Sequence, residues 1–124
     1  MGLFRKKHRG NEAERRRAER VDDRRAVLVI GGVSYGVLDW SVEDFRVLGY
    51  RGGYQRGQEA EARLIVVHNN LPVHFDAVIS VVHENAETGE LAGRFVEMSA
   101  TTRHNLDHIH DLRLARQHEE ADEE

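Results

Sequence analysis

The chain has 124 residues, 18 of them basic and 22 acidic, a net charge of −4 and no cysteine. That length predicts one domain with its own core, and the lack of cysteine excludes disulfides and thiolate metal sites. No apolar run reaches the roughly 18 residues of a membrane span and the start lacks a secretion signal's apolar stretch, so the expected place is the cytoplasm.

Residues 1–25 read as a flexible basic arm, partly helical around Glu12–Arg20. Ten of the 18 basic residues lie there: Arg5, Lys6, Lys7, Arg9, Arg15, Arg16, Arg17, Arg20, Arg24 and Arg25. Solubility alone would be served equally by lysine, whereas the guanidinium fork suits bidentate contacts to phosphate.

Residues 26–100 read as β structure. Ala26–Ile30 is an apolar run ended by Gly31-Gly32. In the next segment Val33, Tyr35, Val37 and Asp39 alternate with Ser34, Gly36 and Leu38. Strands are expected at Phe45–Tyr50 and Glu61–His68, then a turn at Asn69-Asn70-Leu71-Pro72, where Asn tolerates a left-handed backbone and Pro withholds a ladder bond. Val73–His83 and Glu90–Met98 should pair across Glu84–Gly89. Six short strands with glycine-marked turns predict a small closed barrel or sandwich, and closure removes exposed edges.

Residues 101–118 change period and read as one helix, roughly Arg103 to His118, with Thr101 or Thr102 as its cap. Leu106, Ile109 and Leu112 are expected to face the barrel. Residues 119–124 read as a solvated acidic tail.

Two segments carry chemistry. Arg15-Arg16-Arg17-Ala18-Glu19-Arg20 clusters fixed positive charge, and after 18 intervening residues comes Asp39-Trp40-Ser41-Val42-Glu43-Asp44. Guanidinium forks grip phosphate oxygens and the O6/N7 edge of guanine. Asp accepts from guanine N1–H and N2–H₂, and Ser adds a bond to phosphate or base. Local capping is the plain alternative for Asp39 and Ser41, since both side chains accept backbone N–H groups readily.

Together the segments resemble the two-part signature of the PilZ-domain family, RxxxR followed by [D/N]xSxxG. Arg16 and Arg20 match the first part, with Arg15 preceding it. Asp39 and Ser41 match the second, and Asp44 stands where the family has glycine. The resemblance covers about residues 15–115. It implies an all-β, six-stranded antiparallel barrel with a basic N-terminal arm and a C-terminal helix. It further implies a non-enzymatic receptor that binds cyclic di-GMP through Arg15, Arg16, Arg20, Asp39, Ser41 and Asp44 and relays the signal to an effector protein. An arginine in the position of Arg15 implies a stacked ligand dimer. A glycine turn usually needs φ > 0 or a close approach, so Asp44 is expected to strain the turn and to repel an anionic ligand.

Two other classes fit the same sequence. One is a degenerate adaptor of the same fold that binds protein without nucleotide. The other is a small barrel using its basic arm on nucleic acid, for which 6% aromatic residues offer little stacking surface. His104 and His108 are spaced i, i+4 but lack the HExxH acid and a further ligand, so neither metal nor cofactor is expected. They and His110 read as an exposed polar face. No phosphate loop, nucleophile elbow or catalytic carboxylate pair is present.

Overall fold

The computed structural model describes residues 15–123. The lysines and arginines of residues 1–14, part of the expected arm, lie outside the described residues. Residues 15–18 form a helical turn. Seven strands follow: β1 (Val21–Asp22), β2 (Val27–Ile30), β3 (Val33–Trp40), β4 (Asp44–Leu48), β5 (Glu59–His68), β6 (Leu71–Asn85) and β7 (Glu90–Glu97). A helix over Ala100–Glu123 follows them.

The strands pair antiparallel in the circuit β3-β2-β5-β6-β7-β4, and β4 returns to β3. The result is a closed six-stranded barrel with a C-terminal helix, as expected of a PilZ-like chain. The short β1 was not foreseen. It sits where β2 has run out, pairing Val21 with Trp40 and Asp22 with Asp39, and so anchors the last residues of the segment expected to be an arm.

Alternation explains the core. Leu28 and Ile30 of β2, Phe45 and Val47 of β4, Leu64 and Val66 of β5, Phe75 and Ile79 of β6, and Leu91 and Phe95 of β7 all point inward. The β5–β6 hairpin turns on Asn69 and Asn70, at φ 52° and 63°, and Leu71 already pairs with His68. The turn is therefore two residues rather than four, the tight left-handed connection that Asn permits. Gly93 stands opposite Phe45, and a Cβ there would lie 2.6 Å from the Phe45 ring and 2.7 Å from the Ser80 carbonyl oxygen. Its lack of a side chain lets Phe45 and Phe95 meet, with ring centroids 5.4 Å apart.

One irregularity decides where the candidate site lies. A bulge falls between Val37 and Asp39 of β3. Up to it, Tyr35 and Val37 face the core, and strict alternation would send Asp39 there too. The extra residue, Leu38, reverses the phase. Trp40, opposite Phe45, becomes the core residue, and Asp39, opposite Arg46, turns to the outer face.

The helix corrects several expectations. Its cap is Ser99, whose Oγ accepts the Thr102 N–H at 3.1 Å, not Thr101 or Thr102. Its buried residues are Leu106, Ile109, His110 and Leu114. Leu112 is 46% exposed, because six residues at 100° each carry it to the side away from Leu106. The acidic residues expected as a tail continue the helix through Glu123.

Candidate functional site

The outer face of β3, β4 and β7 assembles charged residues by register alone. Asp39 lies opposite Arg46, Asp44 opposite Arg94, and Leu48 opposite Glu90. Directly opposed side chains on one face stand close enough to bond. Arg20, one residue before β1, reaches over this face.

Arg20 donates from Nε to Asp44 Oδ1 and from Nη2 to Asp44 Oδ2, both at 3.1 Å. Its Nε also lies 3.9 Å from Asp39 Oδ1. Arg46 donates from Nε to both Asp39 oxygens, at 3.0 and 3.1 Å, and from Nη2 to Asp39 Oδ2. Arg46 Nη1 is 3.7 Å from Glu90. Asp39 is thus buried yet fully partnered, as a buried carboxylate must be.

Ser41 shapes the turn between β3 and β4. Its Oγ accepts the N–H of Glu43 at 3.1 Å and of Asp44 at 3.0 Å, and donates to Asp44 Oδ1 at 2.7 Å. The backbone closes the same turn with Ser41 N–H donating to Asp44 O at 2.8 Å. Ser41, not Asp39, is the local cap. The non-glycine residues at positive φ are Asn69 and Asn70 among the described residues. Asp44 therefore carries no left-handed strain; it is the first residue of an ordinary strand. The expectation of a strained turn is corrected.

The electrostatics follow from these contacts. Burial pushes the Asp44 carboxyl upward, but hydrogen bonds from Arg20 and Ser41 and the charges of Arg20 and Arg94 outweigh it and hold the group below its ordinary value. Hydrogen bonding to Asp44 pushes Arg20 up, against burial. The bond to Asp39 does the same for Arg46.

Four of the six residues singled out in the sequence therefore meet: Arg20, Asp39, Ser41 and Asp44. Arg15 and Arg16 are exposed on the helical turn and make no hydrogen bond or ion pair with the cluster. Arg46 and Arg94 were not singled out. Their signal was present, since charged residues alternating with Phe45, Val47, Gly93 and Phe95 face outward on strands that frame the motif.

The C-terminal helix holds the arginine segment from its other side. His110, buried beneath Trp40 at a centroid distance of 5.7 Å, places Nε2 2.7 Å from the Glu19 carbonyl oxygen. His118 Nε2 lies 2.7 Å from Glu19 Oε2. Arg17 approaches Asp107 at 3.5 Å, and Asp22 N–H donates to Gln117 Oε1 at 3.0 Å. His110 is thus part of the packing rather than an exposed polar face.

No family model matches the chain, and no curated protein matches its sequence. Among solved structures, the fold is similar to that of the Bacillus subtilis inhibitor of motility MotI/DgrA, with a TM-score of 0.66 at 12% identity. The match covers 81% of this chain and 52% of that one, so the chain spans about half the length of this neighbour. No helix among the described residues is long and apolar enough to cross a membrane.

Proposed function

We propose that the chain is a receptor domain for cyclic di-GMP and passes the ligand's presence to an effector protein. One observation carries the reading: Arg20 meets Asp39 and the Ser41–Asp44 pair, which follow it much later in the chain, at one outer face of the barrel. The chemistry on that face suits the ligand. Arg20, with Arg16 and Arg15 on the preceding turn, offers forks for phosphate and for guanine O6 and N7. Asp39 carries the acceptors that guanine N1–H and N2–H₂ need, and a ligand would share them with Arg46.

The relay has a physical route. A ligand that draws on Arg20 draws on Glu19, which is bonded to the C-terminal helix at two points. The shift in that contact cannot exceed the ligand's difference in affinity between the two arrangements.

Calorimetric titration with cyclic di-GMP tests the reading. Binding is expected, with two molecules per chain, and Arg15→Ala should lower that number towards one. A single-site isotherm removes the stacked-dimer assignment. No heat and no change in the amide spectrum at millimolar ligand removes the receptor reading. What then stands is the adaptor that binds protein without nucleotide, a reading favoured by the Arg20–Asp44 pair, which occupies the fork already.

A further inference from the structure

Asp44 does more than add a negative charge near the candidate site. Its two oxygens fill the whole Nε/Nη2 edge of Arg20, at 3.1 Å each. That edge is one of the two forks of a guanidinium and suits a phosphate equally, because carboxylate and phosphate present the same spacing of acceptors. Asp44 also takes the only proton of the Ser41 hydroxyl, at 2.7 Å. Both remaining acceptor positions of that hydroxyl receive backbone N–H groups, from Glu43 and Asp44. Ser41 therefore has no hydrogen-bonding capacity left. Arg94 stands directly across from Asp44 in the β4–β7 register and adds a positive charge that keeps the carboxylate ionised.

We infer that Asp44 is an internal occupant of the anion position, a latch that an anionic ligand taking this edge of Arg20 must displace from Arg20 and Ser41. The inference rests on the receptor reading above and specifies how that site is regulated. Admission becomes an exchange of one bidentate, charge-assisted contact for another, so little is gained at Arg20 itself. The rest of the ligand must supply the affinity. The latch raises the ligand concentration at which the domain responds and discriminates against small anions, which bring a phosphate and nothing else.

A latch differs from simple repulsion in one respect: it acts through the guanidinium fork. Arg20→Lys keeps the charge but loses the fork. Cyclic di-GMP affinity is therefore measured by calorimetry in four chains: wild type, Asp44→Asn, Arg20→Lys and the double variant. The latch predicts that Asp44→Asn binds at least tenfold more tightly than wild type, whereas the same change on the Arg20→Lys background gains less than threefold. Asp44→Gly, which removes the side chain, gains at least as much as Asp44→Asn, and a thermal melt of each variant verifies that the barrel is intact. In the ligand-free protein the Arg20 Nε–H resonance should be distinct and slowly exchanging in wild type and should lose both properties in Asp44→Asn.

Equal gains on both backgrounds would assign the effect to long-range repulsion and overturn the latch while leaving the receptor standing. Binding by wild type with no gain in Asp44→Asn would overturn it in the same way. Binding by none of the chains would overturn the receptor reading and the latch together, leaving the Arg20–Asp44 pair a purely structural contact.

Discussion

Asp39 and Trp40 are neighbours in the chain, yet the ion pairs they lead to are of opposite kinds. Behind Trp40, its indole Nε1 donates to Asp23 Oδ2 at 3.0 Å, and Arg113 Nη1 donates to the same oxygen at 2.7 Å. Arg113 also donates to the Val67 carbonyl. The side chains of Asp23 and Arg113 are 4% and 19% exposed. On the other face, Arg20 and Asp44 are 37% and 27% exposed. The first cluster ties β1, β3, β5 and the helix into one body. The second lies half open to water, where its bonds exchange at small cost. Depth, rather than the residue types, separates a joint of the fold from a pair that a ligand could replace.

The largest effect should come from the deep cluster. Asp23→Ala leaves the Arg113 charge and the Trp40 N–H without their acceptor, and breaking one side of a buried pair costs about 3–5 kcal/mol. Urea denaturation should show a loss of that order, with the slope unchanged. A loss below about 1 kcal/mol would make the two clusters alike and remove the contrast.

Next in size is the exposed arginine. Arg20→Ala should weaken cyclic di-GMP binding by up to about 1.5 kcal/mol, the low end of the range for hydrogen bonds to a charged group, because the ligand replaces Asp44 at the fork rather than filling an empty one. Its effect on ligand-free stability should stay below about 1 kcal/mol, since a half-exposed pair contributes little. Calorimetry and urea denaturation on the same variant separate the two quantities. Wild-type affinity in Arg20→Ala would place the anion contact elsewhere.

A smaller change should follow from Arg46→Ala. Asp39 then loses its main fork and keeps only the longer contact to Arg20, 3.9 Å away. Stability should fall by about 1 kcal/mol, because Arg46 is more than a third exposed and water screens much of the pair. Binding should weaken as well, because Asp39 is no longer held in one orientation. Arg46→Lys should restore the charge but not the orientation, so a full rescue of binding by Lys would show that the fork is dispensable.

The contrast also explains what the sequence made legible. Most strands and the closed barrel could be read because Gly31-Gly32, Asn69-Asn70 and Thr88-Gly89 punctuate clear alternation. The spacing of the two motif segments picked out Arg20, Asp39, Ser41 and Asp44, which meet in the fold, and also Arg15 and Arg16, which do not join them. The deep cluster could not be read. Asp23 lies in the run Val-Asp-Asp-Arg-Arg, which has no periodicity and reads as arm, and its partners are 17 and 90 residues away. Nor does the bulge at Leu38 leave a sign, since a strand with one extra residue has the same letters as one without. The helix face was misjudged by phase: Leu106 and Ile109 fit a face continued by either Leu112 or Leu114, and the packing of His110 under Trp40 turns Leu114 inward. His110 resembles its exposed neighbours His104 and His108 in sequence and differs only in meeting Trp40.

The smallest predicted effect concerns acid, and its sign follows from the Asp44 contacts. Arg20 and Ser41 hold the folded-state carboxyl below its ordinary value despite burial. A group whose folded pKa is depressed adds stability above its unfolded pKa, about 4, and that contribution disappears as pH falls through the folded value. Wild type should therefore exceed Asp44→Asn in stability near pH 7, by less than about 1 kcal/mol for a pair this open. The gap should narrow below about pH 4 and close at lower pH. Asp76, paired with exposed Arg63, also has its carboxyl held low by that arginine, but it is common to both chains and cancels in the difference. Urea denaturation of the two proteins at a series of pH values measures the gap directly. A gap that persists unchanged at the lowest pH would mean that Asn fails through shape rather than charge. Asp44 would then count among the joints of the fold, with Asp23, and not among the contacts that a ligand can replace.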